Sequence, residues 1–128
     1  MAVSKTLKLF AGDDKIVRLT FTRESDGTRL NLDTDVTEIE FQVKPAEGGA
    51  DPALITLNMV AAPIGIVKLA QVGDTLGQAD LTIPSSETSP PFVPGIYRHD
   101  VVVILTAGGR NHVVSPSDFI VEMVVNQA

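Results

Sequence analysis

Val36-Thr37-Glu38-Ile39-Glu40-Phe41-Gln42-Val43-Lys44 is the stretch whose reading decides the fold. Ile39, Phe41 and Val43 alternate with Glu38, Glu40, Gln42 and Lys44. Successive side chains of an extended chain point to opposite faces, so this run sets one apolar face against a core and one polar face toward water. The period of two predicts a half-buried β-strand.

The same period recurs on either side. From Lys15 to Thr22, Val17, Leu19 and Phe21 alternate with Ile16, Arg18, Thr20 and Thr22. Near the end, Phe119, Val121, Met123 and Val125 form one stripe against Ile120, Glu122 and Val124. Lys5 to Phe10 reads as a first edge strand carrying Leu7 and Leu9. Leu54 to Val60 and Ile66 to Val72 flank Ala62-Pro63-Ile64-Gly65 and are expected to be neighbouring strands joined by a tight connection. Ala79, Leu81 and Ile83 make a short strand that Pro84 ends. Ile96 to Thr106 is a long strand with Tyr97, His99, Val101, Val103 and Leu105 on one face. Arg110 to Val114 returns from it after Gly108-Gly109, a dipeptide suited to the positive φ angles of hairpin turns. On that turn, His112 falls near Leu105. The one helical candidate is a single turn around Asp74 to Gly77.

Breakers punctuate these runs at Gly12-Asp13-Asp14, Ser25-Asp26-Gly27, Asp33-Thr34-Asp35, Pro45 to Pro52, Gly73-Asp74, Ser85 to Pro91 and Pro94-Gly95. Strands separated by turn signals about every ten residues are the signature of an all-β sandwich or barrel. The expected fold is an immunoglobulin-like antiparallel β-sandwich forming a single domain over residues 1–128. Glu47 to Ala50 and Ser85 to Ser89 read as exposed loops, the second as a mobile tip.

Composition narrows the functional classes. A chain of 128 residues, 44% hydrophobic and 20% charged, has the size and balance of one folded domain. Aromatics are only 5%, so Val, Ile and Leu must build most of the core, and stiff β-branched side chains suit pleated sheets. A net charge of -6 argues against a phosphate-backbone binder and against docking on anionic lipid, so neither nucleic acid nor membrane is an expected partner. With no Cys, disulfides and thiolate metal sites are excluded. Met1 to Phe10 lacks the continuous apolar region of a signal peptide, and Val101 to Leu105 is too short to span a bilayer.

There is no Gly-x-Ser-x-Gly elbow and no phosphate-binding glycine pattern. His99 and His112 lack the spacing of a metal pair. Asp33, Asp35 and Glu38 are the best candidates for a hard cation, because alternating loop carboxylates present oxygen ligands. They lack the glycine and distal glutamate of a calcium loop, and a solvated turn before a strand is the preferred reading. Asp13-Asp14 reads as a turn whose side chains bond local backbone. Tyr97 follows Pro94-Gly95-Ile96 and opens a long strand, the setting of a tyrosine corner, which is a structural role. No catalytic, cofactor-binding or metal-binding residues are assigned, no cofactor is expected, and the chain reads as non-enzymatic.

A resemblance follows from the order of the motifs. Gly12-Asp13-Asp14 leads into Val17-Arg18-Leu19-Thr20-Phe21, then Asp26-Gly27 and Leu30-Asn31-Leu32. Ile39-Glu40-Phe41-Gln42-Val43 comes next, then Pro94-Gly95-Ile96-Tyr97-Arg98-His99-Asp100 and a final Phe119-Ile120-Val121. From about Phe10 to Val125 this resembles the small β-sandwich proteins of tailed-phage structural modules and is similar to the N-terminal domain of baseplate upper proteins. Ala46 to Pro63 departs from that pattern. The resemblance implies a connector, adaptor or decoration with no catalytic residues, working in a bacteriophage virion (tail, baseplate or neck) assembled in the host cytoplasm.

Two features fit assembly with other virion proteins and with itself as a homo-oligomer. Val101-Val102-Val103-Ile104-Leu105 has no polar alternation, so it is expected to be covered on both faces, by the second sheet and by either a neighbouring subunit or the chain's own loops and arms. Met1 to Lys5 and Asn126 to Ala128 are expected to be adaptable arms. The alternative function is a carbohydrate- or protein-recognition module using loops at one end, with Phe92 as its main exposed aromatic.

Overall fold

β3 (Val36–Pro45) forms where the alternation predicts it and lies between β4 (Ile55–Asn58) and β7 (Gly95–Leu105). The computed structural model describes residues 7–10, 12–23, 27–45, 53–88 and 95–122, the side chains at 88 and 111–118 excepted. The expectations about Phe92, Met123, Val125, the Glu47–Ala50 loop and both terminal arms lie outside the described residues.

β1 (Leu7–Phe10) and β8 (Arg110–Glu122) complete a five-stranded sheet in the order β1-β8-β7-β3-β4. A second sheet has the order β2-β6-β5, from β2 (Lys15–Thr20), β5 (Ile66–Lys68) and β6 (Gln78–Ile83). A 3-10 turn spans Gly73–Thr75, and α1 (Ser85–Thr88) is a single helical turn. The arrangement is an all-β, immunoglobulin-like sandwich: β2, β6 and β5 form one layer, and β3, β7 and β8 form the centre of the other. Among the described strands pairing is antiparallel except at the edge, where β1 runs parallel to β8 with Leu7 opposite Phe119; an isolated parallel bridge joins Asn58 and Ile64.

The inner faces interlock by register. Phe41 lies between Leu57 and Val101, and Val43 between Ile55 and His99. On the smaller sheet, Leu81 lies between Val17 and Ile66, and Leu19 lies opposite Ala79. The apolar residues among these, with Leu7, Leu9, Phe21, Leu30, Leu32, Ile39, Val103, Phe119 and Val121, form one contiguous core. Burying each large side chain is worth about 1.5–3 kcal/mol, which lets a core with few aromatics hold two layers together.

Four expectations are corrected. First, β4 and β5 are not paired neighbours: β4 edges the larger sheet and β5 the smaller. Asn58 N–H goes to the Pro63 carbonyl, at 2.9 Å, and Glu38 takes the N–H groups of Met59, Val60 and Ala61. The chain therefore leaves the first sheet and crosses the side of the sandwich, and Ile66 finds its partner in Leu81.

Second, His112 lies opposite Val102, not near Leu105. The turn is wider than Gly108-Gly109 alone, because the Leu105 N–H donates to the Gly109 carbonyl and the Gly108 N–H to the Leu105 carbonyl. Third, residues 85–88 are not an open loop but the turn α1. Fourth, the Asp14 carboxylate does not bond local backbone; it accepts the Ser85 N–H at 2.7 Å, pinning α1 to the β1–β2 turn.

Val101 and Val103 point into the core, and Val102 points outward yet is only 4% exposed. Arg110 lies opposite Ile104 on one side of β7 and Glu40 opposite Val102 on the other. Their ion pair, Nη2 to Oε1 3.3 Å, must therefore pass over the outer face of β7. The chain itself covers this stretch of the outer face.

Candidate functional site

Glu38 stands at a register shift of β3 between Val36 and Glu38, where an extra residue turns the strand. Its Oε1 accepts the N–H groups of Ile39 at 2.9 Å, Met59 at 2.8 Å and Val60 at 2.9 Å, and its Oε2 accepts Ala61 N–H at 2.8 Å. Partial burial pushes the carboxyl pKa up, the largest single effect, but the four backbone donors together outweigh it and the pKa is lowered. A carboxylate held this way acts as a clamp.

What it clamps is unusual for a surface loop. Val60, Ala61, Ala62, Pro63 and Ile64 are consecutive, apolar and exposed, with Val60 at 62% and Ile64 at 60%. The loop is fixed at its far end as well. Gly65 N–H donates to the Asn58 carbonyl at 3.0 Å, and Gly65 packs so tightly on Leu57 that a Cβ there would meet its side chain at 2.9 Å. The Ala62–Pro63 peptide is cis. The hydrogen bonds at its two ends hold this loop as an apolar knob joining β4 to β5.

The sequence candidates are dispersed. Asp33 pairs with Lys68; Asp35 accepts Arg23 Nη2 at 2.8 Å and Asn31 N–H at 2.9 Å; Glu38 is committed to the crossover. The structure thus gives the three carboxylates separate partners, and among the described residues no group of three or more His, Asp or Glu side chains converges on a common point. His99 is buried, its ring 5.7 Å from that of Phe41 and 6.1 Å from that of Phe119. Phe41 and Phe119 are themselves 6.1 Å apart, so the three rings close a triangle in the core.

Tyr97 is half-buried against the core near the start of β7, between Pro45 and Phe119 in register. In immunoglobulin domains a corner tyrosine on the corresponding strand precedes an inter-sheet cysteine by two residues, and a buried tryptophan packs there from the strand corresponding to β3. Here His99 follows Tyr97 by two residues, and its ring packs with those of Phe41 and Phe119 on the inner face of the larger sheet. On the smaller sheet, Arg18 grips Asp80 through two bonds, Nε to Oδ1 2.6 Å and Nη2 to Oδ2 3.1 Å. The Arg18 hydrogen bond is the main reason the Asp80 pKa is lowered.

Neither the Glu38 clamp nor the knob was apparent from sequence. Glu38 alternates with apolar residues like any outward strand residue, and Ala62 to Gly65 reads only as a tight connection between two strands. A usable signal was present: from Pro52 to Val67 no residue is charged, the longest such run in the chain.

The geometry defines a class, an immunoglobulin-like β-sandwich whose distinguishing surface is an apolar edge. Among solved structures it is similar to CopC from Methylosinus trichosporium OB3b, with 15% identity, covering 98% of this chain and 91% of that one, at a TM-score of 0.49. That likeness carries nothing about function. No family model matches the sequence. No curated protein matches it either. Among the described residues no helix is long and apolar enough to cross a membrane.

Proposed function

We propose that this chain is a non-enzymatic structural subunit that assembles with other virion proteins and with itself in a bacteriophage tail, baseplate, neck or decoration. The virion setting rests on the sequence resemblance. The observation that supports an assembling role is an apolar patch at one end of the larger sheet. Ile96 and Ile120 face each other across β7 and β8 on its outer side, and Phe10 on β1 lies diagonally beyond Ile120, next to the Lys8–Glu122 ion pair. Ile96 is 60% exposed and Phe10 is also exposed. Two packed layers have no third layer to cover such a patch, and contiguous exposed apolar side chains mark interaction surfaces.

The test is the composition of particles. Phage purified by density gradient from cells carrying the gene should contain the chain at a fixed ratio to the major tail proteins, measured by mass spectrometry. The Ile96→Glu variant should be left out of the particles while remaining folded. Absence of the wild-type chain from purified particles would overturn the virion setting.

A further inference from the structure

We propose that the side of the sandwich formed by β4, the crossover and β5 is the contact between two copies of this chain. The inference rests on the assembling-subunit reading and names the surface used for self-association. β4 edges one sheet, β5 edges the other, and Met59 to Gly65 bridges them, so the three make one continuous side of the molecule. Val60 and Ile64 lie there with exposed side chains, beside exposed Ala61, Ala62 and Pro63.

Charge identifies the occupant. The chain carries -6 overall, so two copies repel at a distance. An isologous contact sets one patch against its own image, and a charged patch then meets like charge. Pro52 to Val67 is the long stretch where that repulsion is absent. The charged neighbours are already engaged, Lys68 with Asp33 and Asp80 with Arg18. Charge depletion around an apolar centre is the composition of homodimer interfaces. The stretch also has no Lys or Arg to meet an anionic lipid headgroup. Rigidity favours contact as well: with Glu38 and Asn58 holding the knob, little conformational freedom is lost on docking.

Sedimentation velocity over a concentration series, from low micromolar to near-millimolar, tests this on the full chain. Wild type should show a monomer–dimer equilibrium. Val60→Glu and Ile64→Glu should each weaken it by at least about tenfold, since each sets a desolvated or like charge into the contact. Ile16→Glu, at an equally exposed apolar residue on the outer face of the smaller sheet, should leave it unchanged. Circular dichroism melts check that each variant is folded, and with two edge variants the loss of one to misfolding leaves the other to decide.

A wild-type chain that stays monomeric at every concentration overturns the proposal and leaves the edge to a different protein. So does wild-type association by both edge variants, or equal dissociation by Ile16→Glu. None of these outcomes touches the virion setting, which particle composition decides separately.

Discussion

Glu38 Oε2 accepts the N–H of Ala61 at 2.8 Å, fastening a bulge in β3 to a loop that the chain reaches only after β4. The same carboxylate takes three more backbone N–H groups, so one side chain sets the path from one sheet to the other.

That clamp should be visible in acid. The folded Glu38 pKa lies below its ordinary value, so its contribution to stability is complete above the ordinary carboxylate range and is lost as pH falls through the folded value. At neutral pH, Glu38→Gln should cost about 1 kcal/mol, a modest figure because the carboxylate is partly solvated. Urea titrations between about pH 3 and about pH 7 should show wild type and variant converging at the acid end. A constant difference across that range would contradict the assignment.

The ring triangle should behave as a unit. Phe41→Ala should cost about 3–5 kcal/mol, since it empties a buried aromatic site. The cycle of Phe41→Leu, Phe119→Leu and the double variant should give a coupling of about 0.5–1.5 kcal/mol, read from denaturant midpoints. Strictly additive losses would mean that the rings merely fill space.

Gly77 stands at φ 78°, and a Cβ there would lie 2.9 Å from the Phe21 carbonyl oxygen and 3.0 Å from that of Leu30. The Gly77 carbonyl accepts the Phe21 N–H and its own N–H goes to Gln71 Oε1, so the backbone cannot easily shift. Gly77→Ala should therefore lower stability by about 1–3 kcal/mol, combining left-handed strain with a clash. A thermal melt matching wild type would show that the corner relaxes freely.

Arg110→Ala removes the arm that crosses β7 to Glu40. Because the pair is solvent-exposed, the loss in stability should stay below about 1 kcal/mol. Binding of an environment-sensitive dye should nevertheless rise, as Val102 and Ile104 lose their cover. Unchanged dye binding would indicate that Val102 is shielded by its other neighbours.

The half-buried strands were legible because alternation is a local property: Val17, Leu19, Ile39, Phe41 and Val43 declare their face from their immediate neighbours. Their partners were not. Leu7 and Leu9 reveal a buried face but not that β8 runs parallel beside them. Ile55 and Ile66 promise two strands, yet the choice between pairing together and parting to separate sheets lies with Glu38, distant in sequence. The glycine pair at 108–109 marks a reversal without fixing its width. The candidate surface was hidden for a related reason. A tight connection was expected there, and only the hydrogen bonds at Glu38 and Asn58 show how Val60 and Ile64 are held outward.

The parallel seam between β1 and β8 also governs the order of events when this chain folds. Leu7 waits for Phe119 and Leu9 for Val121, so the strand nearest the start of the sequence cannot be zipped into its sheet until the last one has been made. During synthesis Leu7 and Leu9 lack their strand partner while every intervening strand emerges from the ribosome. The strand they join is the slowest kind to recruit, because its contacts span nearly the whole sequence and the loop it closes must be paid for first.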